Sequence, residues 1–264
     1  MLNNTYIHIP GVGKSLEQEI WAQGIHNWDE FLKMADRLPI SPSRKSRILK
    51  GIQQSSEHLA VKDCCFFSQC LPPAEHWRAY PLFSDSSAFV DIETTGLSKS
   101  RDYITMVGIY DGKDVKTYIK GINLEGIVEE LSKYKLLVSF NGARFDLPFI
   151  KFEFPEIEFK QLHIDLMYPL RRIGYSGGLK HIEKVLGIQR NESTEGITGL
   201  DAVFLWKQYE KGNQDALDLL IKYNREDIVN LKTIIELTYP KMVEQALGVE
   251  KKEKNENQVF PDIT

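Results

Sequence analysis

Hydrophobic positions change spacing along this chain, and the changes mark its elements. Ala88-Phe89-Val90 runs into Asp91-Ile92-Glu93 and reads as a strand over 88–93. Strands follow near 103–110 and 115–120, with Asp111-Gly112 as the hairpin turn between them. A helix is expected near 123–133 and a strand over 136–140, closed by the turn signal Asn141-Gly142. Asp146 then opens a helix that tolerates Pro148 in its first turn. Leu179–Leu186 is helical, and from Leu217 to Leu237 the residues Leu220, Ile221, Ile228, Leu231 and Ile235 recur at helical spacing. Antiparallel strands followed by alternating strand and helix predict an α/β domain, a mixed β-sheet flanked by helices.

The first 60 residues follow another pattern and predict a small helical domain. Pro10-Gly-Val-Gly13 reads as a hairpin turn, followed by a helix from about Lys14 to Gln23 that Gly24 stops. Two more helices are expected at Trp28–Ala35 and Ser41–Gln54. The opening stretch resembles a helix-hairpin-helix element, whose turn N–H groups can meet a phosphate and which also serves as a packing unit. Arg44, Lys45, Arg47 and Lys50 form a solvated helix face or a basic patch. Residues 61–87 are a connecting segment, in which Leu71-Pro-Pro-Ala-Glu-His-Trp-Arg78 is extended chain leading to a short helix. The main domain spans 88–245, and the charged, polar tail over 246–264 is expected to be disordered. The last residues, Gln258 to Thr264, read as a docking peptide or a frayed terminus.

The 264 residues, 42% hydrophobic and 27% charged, are ordinary for a soluble globular protein. No run approaches the ~20 apolar residues that span a bilayer. The N-terminus lacks a charged region followed by an apolar one, so a cytoplasmic protein without a membrane partner is expected. Cys64, Cys65 and Cys70 are odd in number and lack a Cys-x-x-Cys pair, which points to reduced thiols. The net charge of −4 is not that of a strong nonspecific DNA binder, but bound cations would offset acidic residues.

The candidate chemistry begins with Asp91 and Glu93. Residues two apart on a strand share a face, so both carboxylates project from one side of an otherwise apolar strand. Their mutual repulsion calls for compensation, and a divalent cation with oxygen ligands supplies it. Asp146, at a strand-turn-helix unit, delivers another carboxylate to a strand end; an ordinary helix cap is the competing reading. Tyr223 and Asp227, four apart, share one helix face, and Tyr223 alone would read as a core aromatic.

Asp91-x-Glu93, Asn141-x-x-x-Phe145-Asp146 and Tyr223-x-x-x-Asp227, in that order, resemble the DEDD (DnaQ-like) 3′-5′ exonuclease superfamily with its ribonuclease H-like fold. Tyr four residues before the last Asp resembles the DEDDy branch; the DEDDh branch has a His five residues before it, where this chain has Lys222. With Gly177-Gly-Leu-Lys180 and Gly199 to Trp206, the pattern is most similar to the YprB-like ribonuclease H-like group. The resemblance covers about Ala88 to Leu237.

It implies two metal ions, Mg2+ or Mn2+, since the ligands are all carboxylates without a Cys or His cluster. It also implies that Asp91 bridges the ions, Glu93 and Asp227 complete the site, Asp146 binds the second ion directly or through water, and Tyr223 orients the attacking water. The expected reaction is 3′→5′ removal of nucleoside monophosphates from single-stranded nucleic acid. The helix-hairpin-helix resemblance favours DNA over RNA. Thr94, Thr95, Gly96 and Leu97 would approach the terminal nucleotide, with Leu97 against the base. Phe145 forms another side of that pocket or packs in the core. Asn141 bonds the substrate or shapes its turn. Lys180 assists a helix start in holding phosphate or is solvated. Asp165, in His163-Ile-Asp165-Leu166, supports a water of the site, positions a neighbour, or makes local strand-end bonds. No motif identifies a protein partner. The alternatives are a catalytically weak nucleic-acid-binding or adaptor protein that keeps the fold, and a structure-specific endonuclease.

Overall fold

A computed structural model describes residues 1–248; of the tail expected over 246–264, Ala246 instead closes the last helix, and the part from 249 on, with its docking peptide, lies outside the described residues. Five strands form one mixed sheet: β1 (Ser87–Thr94), β2 (Ile104–Tyr110), β3 (Val115–Ile119), β4 (Leu136–Ser139) and β5 (Leu162–Asp165). Their spatial order is β3-β2-β1-β4-β5. β1 pairs antiparallel with β2, and β2 with β3, while β1–β4 and β4–β5 are parallel. The parallel pairs need crossovers, and helices supply them.

Before the sheet come α1 (Lys14–Ala22), α2 (Trp28–Met34), α3 (Pro42–Ala60), α4 (Cys64–Cys70) and the single turn α5 (Tyr80–Phe83). After β3 follow α6 (Ile127–Ser132), α7 (Asp146–Glu153), α8 (Met167–Arg172), α9 (Leu179–Val185), α10 (Gly199–Tyr209) and α11 (Gln214–Ala246). This is the ribonuclease H-like α/β architecture that the resemblance implied. Two helices outrun their expected ends. α3 continues through Gln53-Gln54-Ser55-Ser56 because Ser55 is buried, donating to Gly51 O at 2.7 Å and meeting His8 Nε2 at 2.8 Å. α11 extends over 33 residues, with Asn213 capping its start by accepting from Ala216 N. The hairpin at Pro10–Gly13 is preceded by a three-residue 3-10 turn, Leu2–Asn4, rather than by an α-helix.

Alternation along β1 decides where its carboxylates go. Ala88, Val90 and Ile92 point to one face, under Ile127 and Leu131 of α6 and Phe149 and Ile150 of α7. Phe89 points to the other, against Ile228, Leu231, Ile234 and Ile235 of α11. Asp91 and Glu93, in phase with Phe89, therefore lie on the α11 face. That apolar layer is continuous with the interior of the N-terminal helices, including Tyr6, Ile20, Phe31 and Ile52. A third layer, Met106, Ala202, Trp206, Leu217, Leu220 and Tyr223, seats α10 against the first half of α11.

A buried ionic clamp joins the N-terminal helices to the sheet domain. Arg78 is 3% exposed and donates to Glu17 Oε2 at 2.9 Å, Thr5 Oγ1 at 2.9 Å and Glu75 Oε2 at 2.9 Å. Glu75 Oε1 also meets Lys14 at 2.6 Å and Arg172 of α8 at 2.7 Å. Among the described residues no helix is long and apolar enough to cross a membrane.

Candidate metal centre

β1 outruns its parallel partner. The last β1–β4 pair is Phe89 with Val138, so the end of β1 carrying Asp91 and Glu93 is free of β4. α11 crosses this end, and its i, i+4 spacing sets Tyr223 and Asp227 on the crossing face. Asp91, Glu93 and Asp227 each offer a carboxylate oxygen, and the three oxygens lie within 4.8 Å of one another. Glu93 and Asp227 are buried, and Asp91 is partly exposed.

Asn224, three residues before Asp227, donates Nδ2 to Asp91 Oδ2 at 2.9 Å. The approach is possible only because Gly108 stands beside Asp91 in the β1–β2 register. A Cβ at Gly108 would lie 1.9 Å from Asn224 Oδ1. Glycine inside a strand here marks a close approach of another chain segment.

Asp146 stands outside the close triple. Its Oδ1 accepts from Ile92 N at 3.2 Å, on the β1 edge that β4 has left. The preceding turn is tightly built: Asn141 adopts φ 64°, and a Cβ at Gly142 would meet Ser139 Oγ at 2.1 Å. Asp165 holds this turn by accepting from Asn141 N at 2.7 Å, Ala143 N at 3.1 Å and Met167 N at 3.2 Å. Asp165 thus makes local bonds at the end of β5 and fixes the turn that delivers Asp146.

The electrostatics suit a cation. Burial, then the nearby Asp146, Asp227 and Glu93, pushes the Asp91 carboxyl well above its usual range. Burial and Asp227 do the same to Glu93. Burial raises Asp146 to about 7 and also raises Asp227, against the pull of Arg190. Buried carboxylates crowded together favour a positive partner, whether proton or cation. The donor set is all oxygen and divalent hard cations match it, whereas zinc favours nitrogen and sulfur.

Tyr223 is buried at 5% exposure, and burial followed by Asp227, Glu93 and Asp91 raises its pKa, so the phenol stays protonated. Lys180 Nζ donates to Tyr223 Oη at 2.8 Å and also to Ile197 O. Its ammonium lies 4.3 Å from the Tyr223 ring centroid. Lys180 is thus tied to Tyr223 and the Ile197 carbonyl rather than freely solvated.

Thr95, Gly96 and Leu97 form a pinned loop after Thr94, the last residue of β1. Thr94 donates to Gly96 O at 2.6 Å, and Asp102 accepts from Ser98 N at 2.9 Å and from Thr95 Oγ1 at 3.4 Å. The loop leaves Leu97 87% exposed, close in sequence to Glu93. Phe145 is half-buried, its ring 5.0 Å from that of Phe149 and packed against the α6–α7 layer.

Sequence reasoning missed four residues of this centre: Asn224, Gly108, Glu183 and Arg190. Arg190, from the α9–α10 connection, donates to Asp227 Oδ1 and forms a two-toothed pair with Glu183 at 2.6 and 2.7 Å. The strand-interior glycine was the readable signal for Gly108, and the three-residue spacing to Asp227 was the signal for Asn224.

A family profile described as the RNase H superfamily matches residues 88–239, more than half the chain, and the chain belongs to that superfamily. No curated protein sequence is significantly similar to this one. Among solved structures, the chain is similar to the family B DNA polymerase from the hyperthermophilic archaeon Pyrobaculum calidifontis, with 14% identity and a TM-score of 0.49. That match covers 61% of this chain and 27% of the polymerase, so the chain spans about a quarter of the polymerase's length. It is also similar to Brucella melitensis NrnC, with 21% identity and a TM-score of 0.40 over 63% of this chain and 81% of NrnC. NrnC bound to pGG matches with 18% identity and a TM-score of 0.37, over 68% of this chain and 91% of that one.

Proposed function

We propose that this member of the RNase H superfamily is a divalent-metal-dependent 3′→5′ exonuclease of the DEDDy branch, YprB-like in its motifs. It acts on single-stranded nucleic acid, with DNA favoured over RNA. The observation that carries the reading is the meeting of Asp91, Glu93 and Asp227 with Tyr223 at the open end of β1. Carboxylates from a strand and a distant helix have converged in a buried place where they outnumber the nearby cations, Arg190 and Lys180.

Asp91, Glu93 and Asp227 would hold Mg2+ or Mn2+, with Asp146 as the fourth carboxylate. Such ions activate water and stabilise the leaving oxygen of a phosphodiester. The chain's own residues do the positioning. Asn224 fixes one oxygen of Asp91, leaving the other directed to the site. Ile92 N–H fixes one oxygen of Asp146 in the same way. Lys180 has donors only, so Tyr223 Oη accepts from it and turns its own proton elsewhere. Tyr223 is then a neutral hydrogen-bond donor that orients a water or a phosphate oxygen, not a phenolate base.

The exposed Leu97 on its pinned loop suits an end-directed enzyme, as an apolar contact for the last base beside the cut. The resemblance of the Pro10–Gly13 turn to a helix-hairpin-helix element inclines the reading to DNA. Purified protein with 3′-labelled single strands of DNA and RNA, in Mg2+ or Mn2+, tests it. Label release by the wild type and none by Asp91→Ala supports it. The same absence of product in both sinks it and favours the adaptor alternative; cleavage of a circular single strand favours an endonuclease.

A further inference from the structure

Arg190 is a buried cation that the proposed reaction does not use. Its side chain is 7% exposed. Nε donates to Glu183 Oε2 at 2.6 Å and Nη2 to Glu183 Oε1 at 2.7 Å, while the same Nη2 reaches Asp227 Oδ1. Glu183 is itself buried at 2% exposure and takes a further bond from Asn230 of α11 at 3.0 Å. The connection carrying Arg190 is docked on α11 next to Asp227, since Glu226 accepts from Asn191 N at 2.8 Å and from Thr194 Oγ1. The guanidinium also lies 5.7 Å from the Tyr223 ring centroid.

Two effects of this arginine on a cation at Asp227 oppose each other. A positive charge beside a ligand repels a metal ion. A hydrogen bond to one carboxylate oxygen fixes the direction of the other. The two-toothed pair with Glu183 decides between them. Glu183 offsets the arginine's charge at contact distance, so the pair acts on the site nearly as a neutral unit and the orienting effect wins. The rigid, planar fork matters, because Nε and Nη2 bind the two oxygens of Glu183 in parallel while Nη2 also reaches Asp227, and an ammonium, a single point on a flexible stem, does not reproduce that parallel geometry.

We infer that Glu183 and Arg190 are positioning residues of the metal centre: Glu183 holds Arg190, and Arg190 aims the carboxylate of Asp227. The inference rests on the metal-centre reading above. Outer partners of ligating carboxylates typically shift metal affinity by about 10–100-fold.

Calorimetric titration of Mn2+ into the nucleic-acid-free protein tests this, with thermal melting in chelator to establish folding. Arg190→Met and Glu183→Gln each weaken Mn2+ binding by about 10–100-fold while melting cooperatively. Arg190→Lys does not restore it. The double variant binds no more weakly than Arg190→Met, because Glu183 acts only through Arg190. Glu183→Gln is nearly isosteric and carries the test should Arg190→Met fail to fold. Mn2+ binding as tight as wild type in either single variant overturns the inference, as does a double variant whose losses multiply. Asp91→Asn separates the two readings. If wild type binds Mn2+ and Asp91→Asn does not, unchanged binding in the arginine variants counts against this inference alone. If wild type takes up no Mn2+, both fall.

Discussion

Replacing Asp146 with asparagine should make the metal-free protein more stable. Asp146 is 3% exposed, and burial raises its carboxyl from 3.8 to about 7. The folded state therefore binds that proton more tightly than the unfolded chain. Stability from this group is full below pH 3.8 and is lost as pH rises to about 7. At about 1.4 kcal/mol per pH unit, that interval corresponds to about 4 kcal/mol of penalty at pH 8 and about 2 kcal/mol at pH 5.5. Asparagine keeps an acceptor for Ile92 N–H and removes the charge. Asp146→Asn should thus be stabilised by up to about 4 kcal/mol at pH 8, and by about half that at pH 5.5. Urea unfolding in EDTA at the two pH values measures both numbers. The helix-cap reading of Asp146 predicts the opposite sign. A carboxylate at the start of α7 would then contribute about 0.3–1 kcal/mol through the helix dipole, and asparagine would be neutral or destabilising. Loss of stability at pH 8 in the asparagine variant would refute the reasoning.

Metal and protons compete for the same carboxylates, so the rise in melting temperature caused by Mn2+ should be larger at pH 8 than at pH 5.5; equal rises would contradict a carboxylate centre. Gly108→Ala should displace Asn224 and release Asp91, costing about 1–3 kcal/mol by overpacking and weakening Mn2+ binding in calorimetry; wild-type affinity would contradict the contact. Arg78→Met leaves Glu17 and Glu75 buried with too few partners, so chemical denaturation should show a loss of about 3–5 kcal/mol; a change under 1 kcal/mol would show that the clamp is not needed.

What could be read in the sequence followed from short periods. A spacing of two on β1 and of four on α11 depends on backbone geometry alone, so Asp91 with Glu93, and Tyr223 with Asp227, could be assigned shared faces without a structure. The alternation of strands and helices gave the mixed sheet for the same reason. Contacts set by packing between distant segments were beyond reach. Arg190 reaches Asp227 because the α9–α10 connection folds over α11, and no local pattern encodes that. Gly108 matters because the β1–β2 register sets it beside Asp91. Lys180 looked like a solvated or phosphate-facing side chain, and its bond to Tyr223 depends on how α9 meets α11. The turn at Leu2–Asn4 shows the converse: a hairpin signature in sequence does not guarantee a helix on both sides of it.

The direction of degradation tests the central claim most directly. A linear single strand labelled at its 5′ end should give a descending ladder of labelled fragments in Mg2+ or Mn2+, while the same strand labelled at its 3′ end releases labelled mononucleotide first. EDTA or Asp91→Ala should abolish both. Release of the 5′ label first, or equal degradation by Asp91→Ala, would contradict a 3′→5′ exonuclease built on this carboxylate centre.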